Sequence, residues 1–231
     1  MQKQAEQLLI DFPDNWQEYN RDDLVVTESN LMAYKLISNW PDWGAPFAAI
    51  IGAPGSGKSH FAHVWAQTSH AYCADMSNLD VASEVVSQGQ SILLEDLSAG
   101  NFNENALFHL LNNISQSRVN YPNISLLITA RSDFTLWDLK LADLLSRLRT
   151  IIKVIIGQTD EMLLRSVLIK LFSDKQIIVE NSVISYIITR MERSLTFAAQ
   201  LVNLCDKYAI INGSKINKRI VNKALAVLFD R

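Results

Sequence analysis

A glycine-rich segment, GAPGSGKS at residues 52–59, matches the phosphate-binding pattern G-x-x-x-x-G-K-[ST] without a mismatch. In this pattern the glycines let backbone N–H groups turn inward around a phosphate, and the following helix adds the positive end of its dipole. Lys58 would reach the β- and γ-phosphates, and the hydroxyl of Ser59 would bind Mg²⁺. The residues that we expect to bind a nucleotide are Pro54, Gly55, Ser56, Gly57, Lys58, Ser59 and His60.

A pair of carboxylates, Glu95 and Asp96, follows an apolar run at residues 92–94. A P-loop enzyme needs a carboxylate at the end of a neighbouring strand, where it holds Mg²⁺ and orients water. We therefore expect Glu95 to share the Mg²⁺ site with Ser59, and Asp96 to face the attacking water. The alternative is an ordinary solvated strand end, where acidic residues are common.

Two further residues could take part in the chemistry. Thr129 ends the apolar run SLLIT, where it could contact the γ-phosphate or the attacking water, or could simply end a strand. Arg147, in LLSRL, could project into a neighbour's nucleotide and stabilise the charge of the transition state. From the residues alone, an ordinary surface arginine is the more common explanation of Arg147.

The elements that would position these residues alternate between strands and helices. A continuous apolar run, typical of a strand buried on both faces, lies at FAAII before the glycine-rich segment, and helical periodicity follows it. Repetition of this alternation predicts an α/β domain with a parallel sheet and helices on both faces. The other apolar runs are AYCADM, SILLEDL, ISLLITA and TIIKVII.

The pattern changes near residue 157, which predicts a division of the chain. Residues 24–157 would form the α/β nucleotide-binding core. Residues 158–231 show helical periodicity almost throughout, and they predict a small all-helical domain. Residues 1–23 are mostly polar apart from one apolar burst, QLLIDFP, and they predict an extended N-terminal arm.

Composition and charge exclude several classes of protein. The formal net charge of −3 over 231 residues provides no broad basic face, so we expect no direct sequence-specific DNA binding. No run approaches the roughly 20 apolar residues of a membrane span, and the polar start QKQAEQ does not resemble a signal peptide. We therefore expect a cytoplasmic protein, with Cys73 and Cys205 as buried, reduced thiols.

The order of these segments resembles that of AAA+ proteins. LFHLLN at residues 107–112, SLLITAR and the SRL around Arg147 resemble the replication initiator DnaA and its shorter relatives of the Hda type. The arm QLLIDFP and the WPDW before the phosphate-binding segment resemble the Hda-type proteins of alphaproteobacteria. The resemblance covers nearly the whole chain, although the phosphate-binding pattern alone is specific only to the superfamily.

This resemblance implies an AAA+ core followed by a helical lid, with bound ADP or ATP and Mg²⁺. It implies a negative regulator of replication initiation, which binds the DNA polymerase III sliding clamp and stimulates ATP hydrolysis by a DnaA-type initiator. Whether the protein forms a homodimer stays an open question at this point. The implied roles are Walker A for Lys58 and Ser59, Walker B for Glu95 and Asp96, sensor 1 for Thr129 and the arginine finger for Arg147.

The arm contains QLLIDF at residues 7–12, which resembles the clamp-binding hexapeptide Gln-Leu-x-(aliphatic)-x-(Leu/Phe). In an extended peptide Leu8, Ile10 and Phe12 share one face and could fill a hydrophobic pocket. Gln7 could form a hydrogen bond at the mouth of that pocket. The alternative is that this apolar burst packs onto the protein's own core.

The sequence departs from the family in several places. The first Walker B acid is Glu95, where the initiator has Asp, and the sensor-2 slot holds Thr196, with Arg193 the nearest cation. We therefore expect weak intrinsic ATP hydrolysis. The segment before SILLED is short, so we expect the initiator's DNA-contacting insertion to be missing. We expect the same of its C-terminal helix-turn-helix domain, because the sequence ends at Arg231 after the predicted lid.

Two other functions stay open at this point. A helicase-loader-like AAA+ ATPase would act on single-stranded DNA, and its binding would depend steeply on salt. A free-standing small-molecule or nucleotide kinase would turn over ATP without a protein partner. The helical segment after residue 157 and the LFHLLN match weigh against the kinase.

Overall fold

The computed structural model describes residues 19–230. The predicted clamp-binding residues Gln7, Leu8, Ile10 and Phe12 lie outside this range. The strands in the described range are β1 (Phe47–Ile51), β2 (Tyr72–Ala74), β3 (Ile92–Leu97), β4 (Leu126–Ala130) and β5 (Ile152–Ile155). They form one sheet in the order β2-β3-β4-β1-β5, and every neighbouring pair is parallel.

Helices connect these strands, as parallel pairing requires. The helices up to β5 are α1 (Leu31–Ser38), α2 (Lys58–Ser69), α3 (Leu79–Ser87), α4 (Glu104–Ser117) and α5 (Ala142–Arg149). Short 3-10 helices lie at Arg21–Asp23 and Phe134–Leu136. The helices after β5 are α6 (Glu161–Asp174), α7 (Asn181–Ile188), α8 (Leu195–Asn212) and α9 (Lys218–Phe229).

The strands are apolar because helices cover both faces of the sheet. One face, which includes Ile51 and Leu94, packs against α3, α4 and α5. The opposite face, which includes Ile50 and Leu127, packs against α1 and α2. These residues are almost completely buried, as expected for a parallel sheet between two helical layers. The predicted α/β core is therefore confirmed.

Helices α6 to α9 bury a separate core, so the predicted all-helical part of the fold is also confirmed. Each helix contributes a fully buried apolar side chain to this core: Leu168, Ile187, Leu201 and Val221. We call these four helices the lid. No helix between residues 19 and 230 is long and apolar enough to cross a membrane.

The two cysteines are free thiols in different surroundings. Cys205 is buried in the lid, and burial raises the pKa of its thiol to about 12. Cys73 is exposed on β2, so the prediction of two buried thiols is wrong for this residue. β2 pairs with β3 alone and lies at the edge of the sheet, where an apolar run does not guarantee burial on both faces.

Candidate nucleotide-binding site

The glycine-rich segment at residues 52–59, here called the P-loop, joins the end of β1 to the start of α2. Gly55 and Gly57 have φ angles of +70° and +92°, in the left-handed region that favours glycine. α2 begins at Lys58, as the pattern predicts, so the positive end of its dipole faces the loop. A helix N-terminus of this kind is suited to an anionic phosphate.

Two polar side chains of the P-loop are buried. Ser56 is 4% exposed, and its Oγ has no hydrogen-bond partner among the described residues. Lys58 is 8% exposed, and its Nζ donates to the Ala53 carbonyl at 2.9 Å. Burial lowers the pKa of Lys58, and the opposing effect of Asp96 is smaller. A buried cation and an unsatisfied hydroxyl in the same glycine-rich turn fit the polyphosphate of a nucleotide.

Glu95 lies on β3 close to the P-loop, and its two carboxylate oxygens differ. Oε2 lies 2.7 Å from His63 Nε2, whereas Oε1 is buried without a hydrogen-bond partner in the described chain. Burial acts to raise the pKa of Glu95, but hydrogen bonds from His63 and Ser59 outweigh it and keep the pKa below its usual value. An ionised carboxylate oxygen without a partner, close to the Ser59 hydroxyl, is suited to Mg²⁺, because Mg²⁺ prefers oxygen ligands. The two predicted metal ligands thus lie together.

His63 on α2 is a site residue that the sequence analysis missed. The Cys73 thiol and the Glu95 carboxylate raise its pKa to about 9, so the ring is protonated at neutral pH. The Tyr19 ring stacks on it with 4.4 Å between centroids and 9° between planes. A signal was available, because His63 follows Ser59 by four residues, which places both side chains on one face of the helix.

Asp96 lies where β3 loses its regular pairing with β4, between Leu94 and Leu97, and its φ is +52°. Its backbone N–H donates to Thr129 Oγ1 at 2.8 Å. Its carboxylate accepts two hydrogen bonds from the guanidinium of Arg131, a residue that the sequence analysis did not single out. Thr129 is 1% exposed, so its hydroxyl supports the Asp96 backbone from within the sheet.

His60, one of the predicted nucleotide-binding residues, lies in the first turn of α2. Its backbone N–H donates to the Gly57 carbonyl at 3.1 Å. This N–H forms a hydrogen bond to the residue three positions earlier, which is common in the first turn of a helix. Its ring lies edge-on to that of Tyr19, with 5.5 Å between centroids.

Arg147 lies in the last turn of α5 and is half-buried. Its guanidinium lies over the ring of Phe108 on α4, 5.1 Å from the ring centroid. This contact places Arg147 at the packing interface of α4 and α5. The other candidate residues lie at the P-loop and at the ends of β3 and β4.

The lid reaches the P-loop through the start of α8. The backbone N–H of Leu195 donates to the Gly55 carbonyl at 2.8 Å. Thr196, the residue in the predicted sensor-2 slot, follows directly and is exposed. The helix end nearest the P-loop therefore has an uncharged side chain where the family resemblance places an arginine.

The arrangement of sheet, P-loop and lid is similar to that of several solved structures. No family model matches the chain, and no curated protein matches it. Domain III of the replication initiator DnaA from Thermotoga maritima superposes with a TM-score of 0.74 at 15% identity, over 91% of this chain and 96% of that domain. The fold is that of an AAA+ P-loop domain.

Two further AAA+ structures show the same fold. A DnaA initiator bound to AMPPCP and single-stranded DNA gives a TM-score of 0.65 at 15% identity, over 85% of this chain and 68% of that one. The RuvB Holliday junction branch migration motor of Thermotoga maritima gives a TM-score of 0.70 at 17% identity, over 91% and 72%. At 15–17% identity, the similarity to these structures concerns the fold of the domain.

Proposed function

We propose that this AAA+ protein binds an adenine nucleotide with Mg²⁺ and acts as a negative regulator of replication initiation. The observation that supports nucleotide binding is the buried, unsatisfied Ser56 Oγ in the turn that leads to the buried Lys58 at the start of α2. Ser59 and Glu95 would hold Mg²⁺, which when bound neutralises phosphate charge. ADP and ATP both have the phosphates that a P-loop cradles, so either could be resident.

Slow intrinsic hydrolysis is part of the proposal. Asp96, the candidate for orienting water, is paired with Arg131, and His63 occupies one oxygen of Glu95. Thr196 at the start of α8 cannot supply positive charge to a phosphate. An efficient P-loop enzyme needs positioned water and compensated charge together, so this site is better suited to holding a nucleotide than to turning it over.

The regulatory part of the proposal rests on Arg147. The cation–π contact with Phe108 holds the guanidinium in a defined place on α5. An arginine held in this way can stabilise the charge of a phosphoryl group that is transferred in a partner's active site. The resemblance to the DnaA branch makes a DnaA-type initiator the proposed partner. The sliding clamp would bring the two together through Gln7, Leu8, Ile10 and Phe12.

A helicase-loader-like ATPase on single-stranded DNA is a second candidate, favoured by the DnaA structure that contains such a strand. Stacking of unpaired bases needs accessible aromatic rings. Trp43, Trp65 and Trp137 are buried and Trp40 is half-buried, which weighs against the second candidate. Trp16 lies outside the described residues.

Two measurements test the proposed function. Calorimetric titration with ADP and ATP should show binding to the wild type and none to Lys58→Ala, whereas the exposed Lys35→Ala control should bind normally. With clamp loaded on DNA, the wild type should accelerate ATP hydrolysis by the initiator. Absence of nucleotide binding would refute the site. Tight, salt-sensitive binding of single strands without any effect on the initiator would favour the loader instead.

A further inference from the structure

Arg131 is a cation at the site, and the proposed function uses it only as the partner of Asp96. It follows the end of β4, the strand between β1 and β3. Its Nε lies 2.9 Å from Asp96 Oδ1, and its Nη2 donates to Oδ2 of the same carboxylate. A guanidinium that forms two parallel hydrogen bonds is fixed in orientation as well as in distance.

The same residue also begins beside the P-loop. β4 pairs with β1 in parallel, with Ala130 opposite Ile51, and the Gly52 N–H donates to the Ala130 carbonyl at 3.1 Å. Arg131 directly follows Ala130, and the P-loop directly follows β1, so both start at the same edge of the sheet. Lys58 and Arg131 therefore approach one space from two strands, Lys58 from the end of β1 and Arg131 from the end of β4. The first turn of α8, which also borders this space, contains no charged residue in its sequence LTFA.

A third phosphate adds negative charge beyond the two phosphates that ADP already presents to Lys58 and Mg²⁺. We propose that Arg131 is the residue through which this site distinguishes ATP from ADP, by exchanging Asp96 for the γ-phosphate. The proposal rests on the proposed nucleotide site and deepens it. Arg131 would supply the positive charge that Thr196 does not.

The exchange is physically reasonable because both partners are accessible. The Arg131 and Asp96 side chains are 59% and 51% exposed, so water can replace their hydrogen bonds while the pair opens. A phosphate presents the same planar pair of acceptors to a guanidinium as a carboxylate does. The N–H···Oγ1 bond to Thr129 would keep the Asp96 backbone in place during the exchange.

Equilibrium titration with ADP and with the non-hydrolysable analogue AMPPCP, both with Mg²⁺, tests the proposal without relying on activity. Arg131→Ala should weaken AMPPCP binding about tenfold, the loss expected for a hydrogen bond between charged groups, and should change ADP binding by less than about twofold. Arg131→Lys should recover only part of the loss, because a point charge does not reproduce the fork.

Asp96→Asn gives a prediction of opposite sign. The amide competes less well for Arg131, so AMPPCP should bind several-fold more tightly relative to ADP. This gain should vanish on the Arg131→Ala background, as a double-mutant cycle would reveal. The exposed Arg149→Ala serves as a control for the loss of one positive charge.

The outcomes separate this inference from the function on which it rests. If the wild type binds both nucleotides and Arg131→Ala leaves their affinity ratio unchanged, the inference is overturned and the nucleotide site stands. If the gain from Asp96→Asn persists without Arg131, simple charge repulsion explains it and the inference is again overturned. Failure of the wild type to bind either nucleotide would overturn both.

Discussion

The backbone N–H of Leu195 donates to the carbonyl of Gly55 across 2.8 Å, which joins the first residue of α8 to the turn of the P-loop. Ser194, the residue before Leu195, lies against the same glycine. A Cβ added at Gly55 would lie 2.0 Å from Ser194 Oγ and 2.9 Å from Ser194 Cβ. The conformation of the P-loop and the position of the lid therefore depend on the absence of a side chain at Gly55.

Gly55→Ala should lower the melting temperature and weaken nucleotide binding. The φ of +70° strains any residue with a Cβ, by roughly 1–3 kcal/mol, and the contact with Ser194 adds to that strain. Gly44→Ala is a matched control, because Gly44 has a φ of +73° and nothing within 4 Å of an added Cβ. Thermal unfolding of the two variants should show a larger loss for Gly55→Ala.

A second substitution tests whether the lid contact is the cause. Ser194→Gly removes both clashing atoms and leaves an acceptable N-cap for α8, since glycine at this position costs only a few tenths of a kcal/mol. Added to Gly55→Ala, it should restore part of the lost stability. Equal losses for Gly55→Ala and Gly44→Ala, with no recovery in the double variant, would contradict this explanation.

Asp160 links the start of α6 to the segment before α1. Its Oδ1 accepts from the Leu163 N–H at 2.7 Å, and its Oδ2 accepts from Thr27 Oγ1 at 3.0 Å. Burial acts to raise the pKa of Asp160, but these hydrogen bonds and one from Ser29 outweigh it, so the pKa lies below the ordinary value of 3.8. The ionised carboxylate is therefore the form that stabilises the fold.

Because this pKa is depressed, the stabilisation is present above pH 3.8 and is lost as the pH falls through the folded-state value. Asp160→Asn keeps a good N-capping side chain but removes the titration. Its melting temperature should be lower at neutral pH and should fall less steeply on acidification than that of the wild type. The exposed Asp42→Asn should follow the wild-type curve, and parallel curves for all three proteins would rule this linkage out.

Arg147→Ala should remove stimulation of the initiator, by about a thousandfold, while nucleotide binding stays intact. Arg147→Lys should fail as well, because an ammonium cannot reproduce the planar guanidinium. Phe108→Leu should give an intermediate loss, since it removes the ring beneath the guanidinium. Arg149→Ala, in the same helical turn and exposed, is the control. Stimulation that survives in Arg147→Ala would remove Arg147 from the mechanism.

Features set by contiguous residues could be predicted from the sequence. The P-loop is one such feature, because eight neighbouring residues determine both its turn and the start of α2. Glu95 is another, because the ends of parallel strands meet at one edge of the sheet. Hydrophobic runs likewise predicted the buried strands, apart from the exposed face of β2.

Features that join separate segments could not be predicted in this way. Arg131 and Asp96 are 35 residues apart, and His63 and Glu95 are 32 apart, so their pairing depends on the order of the strands in the sheet. The inward direction of Thr129 depends on side-chain alternation, which a shift of one residue reverses. β3 shifts its register against β4 between Leu94 and Leu97, beside Asp96. No local sequence pattern predicts this shift.

Clamp binding by Gln7, Leu8, Ile10 and Phe12 stays a prediction, because these residues lie outside the described part of the chain. Tyr19, the first described residue, stacks on His63 beside the P-loop. Tyr19 follows Phe12 by seven residues in the sequence, so their Cα atoms lie at most about 25 Å apart.

Gln7→Ala combined with Leu8→Ala should abolish clamp binding in surface-plasmon or size-exclusion measurements, because it removes the hydrogen bond and one of the three apolar contacts. Nucleotide affinity and melting temperature should not change, since the P-loop and both cores lie within the described residues. Stimulation of the initiator should nevertheless fall with Arg147 intact, because the clamp is proposed to bring the two proteins together. Gln2→Ala combined with Gln4→Ala, which lie ahead of the hexapeptide, should behave as wild type. Unchanged clamp affinity in the Gln7 and Leu8 variant, or collapse of its fold, would indicate that the apolar burst packs onto the protein's own core.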